Sequence, residues 1–352
     1  MNNKSIDIDT RQERREKKLV LIVTIEKSGL DKYGQEIAKR LNVKKIESRR
    51  YLSLIESYRL SRMIQGLNDI VHLPNQNFAR YALFLKNPFI VTVHDLVRNC
   101  FGFAKETITE RILLKLDRRC IKRASHIIAV SHSTRNDLIK YLKIPDDRIS
   151  VVYNGVDHNI FKPYKVKLLD KPYILYVGSE RPRKNLGRLF EAFAKLKGEF
   201  PELKLVKIGA SGRSEKYRSE VMRQLDSLGI TRDVIFVEHV SELELAHYYS
   251  SAALLTYPSL YEGFGLPPLE AMACGCPVVT SNTSSLPEVV GEAGIMVDPY
   301  DIYSLAQAIR QVLTDDKLRD DMIRKGLEQA KKFSWEETAR ETMKVYEKVG
   351  GT

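Results

Sequence analysis

From residue 19 onward, short and nearly unbroken apolar runs alternate with helical patterns, and the alternation passes through the chain twice. The first series holds Leu19–Ile25, Ile70–Leu73, Phe89–Val93, Ile127–Val130 and Ile149–Val152, with helical stretches at Lys32–Leu41, Thr107–Arg123 and Ser133–Tyr141. The second holds Tyr173–Val177, Leu203–Ile208, Val234–Val237, Ala252–Thr256, Pro277–Thr280 and Gly294–Val297, with a strongly amphipathic helix at Leu186–Leu196. A strand apolar on both faces is buried on both faces, the condition of a parallel sheet covered by helices on either side. The pattern predicts an α/β chain of two Rossmann-like, doubly wound parallel-sheet domains. Length agrees, because 352 residues exceed the ~250–300 at which a single core stops growing.

Between the two series lies Asp157–Pro172, rich in lysine and holding Pro163 and Pro172, which reads as the linker. The division expected is a disordered polar and basic tail at 1–18, a first domain at 19–165, a second at 166–333 and a closing helix at 334–352. Ser334 followed by Glu337 has the spacing of a capping box ahead of a helix over Trp335–Val349, long and late enough to cross back onto the first domain. Two such units in succession imply a cleft between them, with ligands bound beyond the carboxyl ends of the strands.

No apolar run approaches the ~20 residues that span a bilayer, and Met1–Lys18 lacks the apolar core of a signal peptide. Cys100, Cys120, Cys274 and Cys276 form no ligand-spaced cluster, so no zinc site is expected, and a cytoplasmic protein with reduced thiols is. The net charge of +12 is unevenly spread. Residues 1–165 carry 32 basic against 18 acidic side chains, and residues 166–352 carry 25 against 27. An excess confined to one half can serve a phosphorylated or membrane-bound partner as well as solubility. Arg111–Arg123 sets basic groups along a helix with an apolar face, a pattern that can lie on an anionic membrane.

Two segments carry chemistry. In YILYVGSERPRKNL (Tyr173–Leu186) a strand runs into Gly178, then Arg181, Arg183 and Lys184, then a helix. Cations at a parallel strand's carboxyl end, beside a helix N-terminus, suit a diphosphate, and a cation buried there needs an anion. In YEGFGLPPLEAMACGCP (Tyr261–Pro277) Glu262 stands in a loop with Gly263, Phe264 and Gly265, and Pro267–Pro268 open a helix in whose first turn Glu270 is expected. Proline is favoured there because its missing N–H is unneeded. Glycines let backbone approach a ligand, and the free N–H groups of a helix start can hold an anion.

The acids Glu262 and Glu270, with GFGLP between them, resemble glycosyltransferase family 4. The resemblance extends through Ser281–Asp301, Phe333–Ala339, Pro182–Leu186, Val152–Asp157, Val91–Leu96 and Ile127–Leu138. It implies the two-domain GT-B architecture and a retaining hexosyltransferase, mannose or glucose moving from a UDP- or GDP-sugar to a glycan, glycolipid or lipid-linked acceptor. By resemblance, Arg183 and Lys184 clamp the diphosphate, Glu262 meets the donor sugar and Glu270 the ribose, and the backbone of Phe264, Gly265 and Leu266, beside Gly263, meets sugar and phosphates. His94 lines the cleft from the first domain and Gly29 offers a backbone contact to phosphate. No metal and no cofactor are expected, because fixed cations and a helix dipole take the charge. Nucleic acid is not an expected partner; peripheral attachment to an anionic membrane through the basic half is.

The sequence departs from the family at two places. Ser179 stands where many relatives carry arginine, leaving Arg181 or Arg183 to supply that charge, and Ser28–Gly34 reads SGLDKYG, with Asp31 and Lys32 inside a usually glycine-rich entry. Other readings of the same architecture are a phosphorylase, a nucleotide-sugar epimerase or an inert nucleotide-sugar-binding subunit. A dinucleotide-dependent dehydrogenase is disfavoured, since no G-x-G-x-x-G follows the first strand.

Overall fold

The structure is a computed structural model, and it describes residues 19–24, 29–41, 43–48, 58–59, 61–62, 70–100, 107–212 and 215–350. The tail expected at 1–18 lies outside the described residues, as do Ile25 and Ser28.

Among the described residues the strands form two six-stranded sheets in which every pair is parallel. The first contains β1 (Leu19–Thr24), β2 (Lys44–Ser48), β3 (Ile70–Leu73), β4 (Phe89–Val93), β5 (His126–Ala129) and β6 (Ile149–Val151), in the order β2-β1-β3-β4-β5-β6. The second contains β7 (Tyr173–Val177), β8 (Lys204–Ile208), β9 (Val234–Val237), β10 (Leu254–Tyr257), β11 (Val278–Ser281) and β12 (Ile295–Val297), in the order β12-β11-β10-β7-β8-β9. In the second sheet the order reverses at the β10–β7 pair. The crevice for a ligand therefore opens beyond the carboxyl ends of β7 and β10.

β2 was not expected from sequence. KKIES has one apolar residue, Ile46, because an edge strand needs only a foothold on the core, and Lys44 and Lys45 stay in water.

The first sheet is flanked by α1 (Gly29–Arg40), α2 (Ile108–Arg123) and α3 (His132–Leu142). Thr107 and Glu110 form a capping box at the start of α2. Asp117, buried on α2, takes a bidentate pair from Arg80 at 2.9 and 2.7 Å and ties the helix to the 3-10 stretch Gln76–Phe84. The second sheet carries α4 (Leu186–Leu196), α5 (Glu215–Ser227), α6 (Glu242–Ser251), α7 (Leu266–Ala273), α8 (Leu286–Val290), α9 (Ile302–Thr314) and α10 (Asp316–Ala330). Leu186, Leu189, Phe190, Phe193 and Leu196 of α4 fall on one face and all enter the second core.

The last helix, α11 (Trp335–Gly350), returns to the first sheet. Trp335 and Ala339 pack with Leu21, Tyr33 and Ile37, while Val345 and Tyr346 pack with Ile70, Ile90 and Ile128. Burial of side chains of this size is worth roughly 1.5–3 kcal/mol each, enough to hold the chain's end on the unit it left. Ser334 accepts from Glu337 N at 3.1 Å, the first half of the expected capping box, whereas the Glu337 carboxylate turns to Arg340. The chain passes between units twice at one place: Val156 bridges Ser334, and a Cβ on Gly155 would overlap the Ser334–Trp335 peptide. Asp157–Pro172 lies along the second unit, with Phe161 in its core and Tyr164 N and Leu168 N donating to Ser250 and Ser251 at 3.2 and 3.1 Å.

Candidate active site

The loops that leave β7 and β10 meet at the crevice. After Gly178 the chain makes one 3-10 turn, Pro182–Lys184, closed by Asn185 in the left-handed region at φ 62°. The Asn185 amide tolerates that conformation because it is held, donating to Pro258 O at 2.9 Å and Pro299 O at 2.7 Å. The turn drives Lys184 inward. Its ammonium lies 2.7 Å from Glu262 Oε1, hydrogen-bonds the Tyr257 hydroxyl and sits 4.7 Å from the centre of that ring. Arg183 Nη1 lies 3.1 Å from the same Glu262 oxygen and donates to Tyr261 O at 2.8 Å. Arg181 precedes the turn on the exposed side.

Glu262 is thus a buried carboxylate with one buried cation, Lys184, and one half-buried cation, Arg183, against it. Burial alone would raise its pKa, but Lys184 and then Arg183 outweigh burial and hold it at about 2. Glu262 also holds the Arg183 guanidinium above its ordinary range against burial, and burial pulls the Lys184 ammonium below its own. The sequence reading gave the cations a need for an anion, and gave Glu262 a need for a ligand. Each need is met by the other, with net charge +1 left over for a further anion.

Glycine is required in the next stretch by sterics. A Cβ on Gly263 would overlap the His94 carbonyl oxygen and come within 3.0 Å of Asp95 Cβ, so here the two units touch backbone to backbone. Gly265 caps α7 at φ 119°, a backbone conformation that side chains rarely adopt, with Leu286 Cδ2 2.9 Å from where a Cβ would stand. Ser131 Oγ donates to Gly263 O at 2.7 Å, and the Tyr261 hydroxyl accepts from Leu96 N at 3.1 Å while donating to Asp137 at 2.6 Å. Glu288 of the second unit receives His132 N and Ser133 N, each at 2.7 Å, and so caps α3 from across the interface. Phe264 packs between Tyr153 and Phe333, with ring centres 5.9 Å apart in both cases, and Leu266 is the first residue of α7.

His94 stands at the end of β4, buried, with Nε2 donating to Pro74 O at 2.8 Å and its ring edge-on to Tyr33. Its backbone carbonyl is the group that meets Gly263. Gly29 is the first residue of α1, where the first unit faces the crevice; the side chain of Asp31 falls outside the described residues.

Glu270 requires a correction. Because α7 begins at Leu266, Glu270 is its fifth residue and lies in the second turn, and the helix dipole is not what places it. It is buried, accepts from the Tyr249 hydroxyl at 3.1 Å and faces Lys32 of α1. Burial pushes its pKa up to about 7.

The sequence reading missed the cluster below the β7 loop. Lys207 and Glu180 are both buried, with Nζ 3.0 Å from Oε1, and Arg218 pairs with the same oxygen. Lys207 also donates to the carbonyls of Gly209 and Ala210, shaping the loop after β8. A lysine inside the apolar strand KLVKI was the available signal. Among the described residues no group of three His, Cys, Asp or Glu is placed to hold a metal ion, and no helix is long and apolar enough to cross a membrane.

A family profile described as Glycosyltransferase Family 4 matches residues 19–160, and one described as Glycosyl transferases group 1 matches residues 158–329. The O-antigen chain mannosyltransferase B of Escherichia coli is 35% identical over 322 residues, covering 85% of this chain and 81% of that protein. The MMP alpha-(1->4)-mannosyltransferase of Mycolicibacterium hassiacum is 32% identical over 327 residues, covering 83% and 74%. The crystal structure of Anabaena HepE in complex with UDP and glucose superposes with a TM-score of 0.80 over 94% of this chain and 99% of that one, at 17% identity. That last likeness is one of fold, and the two parallel sheets are those of GT-B.

Proposed function

Because this chain belongs to glycosyltransferase family 4, we propose that it moves a hexose from a nucleoside-diphosphate sugar to an acceptor hydroxyl with retention of anomeric configuration. The observation that carries the reading is the Arg183–Lys184–Glu262 cluster at the point where the second sheet reverses its order. Its surplus positive charge lies beside the N-terminus of α7, where a diphosphate gains two fixed cations and the N–H of Leu266, the following Pro267 and Pro268 having none to give. With the diphosphate drawn to Lys184 and Arg183, Glu262 stays paired with those cations and meets the sugar as a hydrogen-bond acceptor. The bond from the anomeric carbon to the phosphate oxygen breaks, the acceptor oxygen bonds to the same face, and the acceptor's proton passes to the departing phosphate.

Retention through a covalent intermediate would need a free carboxylate as nucleophile. Glu262 is paired with its cations, Asp137 accepts from Tyr261, and Glu288 caps α3. This favours direct attack. His94 borders the reacting centre from the first unit. The two mannosyltransferase relatives support mannose over glucose, carried by UDP or GDP, and the two cations do the work of a metal. The test is nucleotide release from a panel of UDP- and GDP-hexoses without acceptor. One donor should be hydrolysed slowly to nucleoside diphosphate and hexose; binding without release from any donor would leave an inert subunit, and a free epimer or sugar phosphate would indicate the rival chemistries.

The acceptor belongs to the first unit, and we propose a lipid-linked one met at an anionic membrane. On α2 the outward stripe is Ile108, Arg111, Ile112, Lys115, Arg119 and Lys122, with Ile108 77% and Ile112 53% exposed. Both acidic residues of the helix are engaged internally, Glu110 in the capping box and Asp117 with Arg80. Lys115, Arg118, Arg119 and Lys122 also line an open surface depression with Tyr141. Each basic residue near an anionic bilayer is worth about 1 kcal/mol. Lys115→Gln with Arg119→Gln should therefore weaken sedimentation with phosphatidylglycerol vesicles roughly thirtyfold at low salt. Absence of vesicle binding by the native chain would remove the membrane from the proposal.

A further inference from the structure

Lys32 is a cation at the crevice with no part in the reading above. It belongs to the first turn of α1 in the first unit, yet its ammonium is 2.6 Å from Glu242 Oε1, at the start of α6 in the second. It also lies 5.2 Å from the centre of the Phe161 ring. Glu270, on α7, is tied to the other end of α6 by the Tyr249 hydroxyl. One lysine from the first unit thus faces two carboxylates of the second, one largely exposed and one buried.

We propose that Lys32 is a positioning residue for the nucleotide: it brings a positive charge across the crevice to the Glu242–Glu270 face, so that Glu270 meets the ribose as a carboxylate when the two units are together. This rests on the reading of Glu270 as the acid that binds the ribose. A ribose diol donates two O–H groups, and an ionised carboxylate accepts both more strongly than a neutral acid. Nucleotide binding on the second unit is thereby coupled to the presence of the first.

The charged and titratable groups around Glu270 are few. From α6 come the Tyr249 hydroxyl and Glu242; from the residue that closes α7 comes Cys274, whose thiol is pushed up to about 12 by burial and then by Glu270. From α1 comes Lys32, with Glu36 one turn behind it. Among the described residues Lys32 is the one cation of this group. Burial raises the Glu270 carboxyl to about 7, Glu242 adds to the rise, and Lys32 and the Tyr249 hydroxyl pull it back. The Lys32 ammonium is held up in return, Glu270 and Glu242 outweighing the effect of burial. For an acid balanced near neutrality, one cation decides how much of it is ionised.

The experiment measures Kd for UDP and for GDP by calorimetry between about pH 6 and about pH 9.5, for the native chain, Lys32→Met and Lys32→Arg. Loss of one nearby opposite charge raises a carboxyl pKa by roughly one unit or more. Lys32→Met should accordingly lose nearly tenfold more affinity at the acid end than at the alkaline end, and Lys32→Arg should follow the native profile. A loss by the same factor at every pH overturns the proposal, because a lysine that only holds the units together would weaken both ends alike. An unchanged profile overturns it too. If the native chain binds neither nucleotide, the donor-site reading falls, and this inference falls with it.

Discussion

Replacement of Lys184 by methionine lowers transfer at saturating donor by about 10²–10³-fold, the usual effect of removing one preorganised charge from a developing anion. The ammonium is buried, positioned by Tyr257 and Glu262, and aimed into the crevice before any ligand arrives, so the electrostatic work of ordering it is done in folding. Methionine keeps the length and apolar bulk of the side chain. Glu262 retains Arg183 at 3.1 Å, so the loop keeps a charge partner and the fold survives. The substitution carries a second signature. A carboxyl held at about 2 in the folded chain, below its ordinary value of about 4.5, contributes stability above that ordinary value, and the contribution fades as pH falls toward 2. Without Lys184 the Glu262 pKa rises, and acid unfolding moves to higher pH. Steady-state rates and an acid denaturation series check both parts; a rate within tenfold of native would remove Lys184 from the chemistry.

Substitution of Gly263 by alanine tests the junction of the units. The added methyl meets the His94 carbonyl and Asp95, so relief requires the units to move apart. Displacement of reacting groups by about 1 Å can cost 10²-fold, and a fall in turnover of at least that size is expected. Nucleotide affinity should fall by no more than about tenfold, because Arg183, Lys184, Glu262 and Glu270 all belong to the second unit and only Lys32 comes from the first. Thermal stability should also hold, since the methyl touches neither core. Turnover close to native would mean that the contact is not maintained during catalysis.

The sequence carried the fold through one physical property, burial on both sides of a parallel strand. Ile70–Leu73, Phe89–Val93, Tyr173–Val177 and Val234–Val237 are found at the ends read from their apolar runs. β2 escaped because an edge strand does not need that property. β10 begins at Leu254 and not at Ala252 because Ala252 still closes α6, and β11 starts after Pro277, which has no N–H to give a ladder.

The site was legible where local chemistry defines it. Loop cations after β7 and a loop carboxylate after β10 stood out, and the structure brings them within 3.1 Å. That they neutralise one another could not be read, since the partners are 78 residues apart and meet only through the β7–β10 pairing. Pro267 and Pro268 misled on Glu270. Proline is tolerated throughout the first turn, so the pair did not mark the first helical residue. The Lys32–Glu242 pair spans 210 residues and two units, and no local pattern announces it.

In the proposed reaction the Lys184 cluster releases a nucleoside diphosphate while the hexose keeps its configuration. Proton NMR of the native chain with its accepted nucleotide sugar tests this most directly, by following the anomeric signal of the first sugar product. Expected are nucleoside diphosphate together with a sugar of the donor's own anomeric configuration, both formed about 10²–10³-fold more slowly by Lys184→Met. The opposite anomer formed first, or release by Lys184→Met within about tenfold of the native rate, would overturn the proposed reaction.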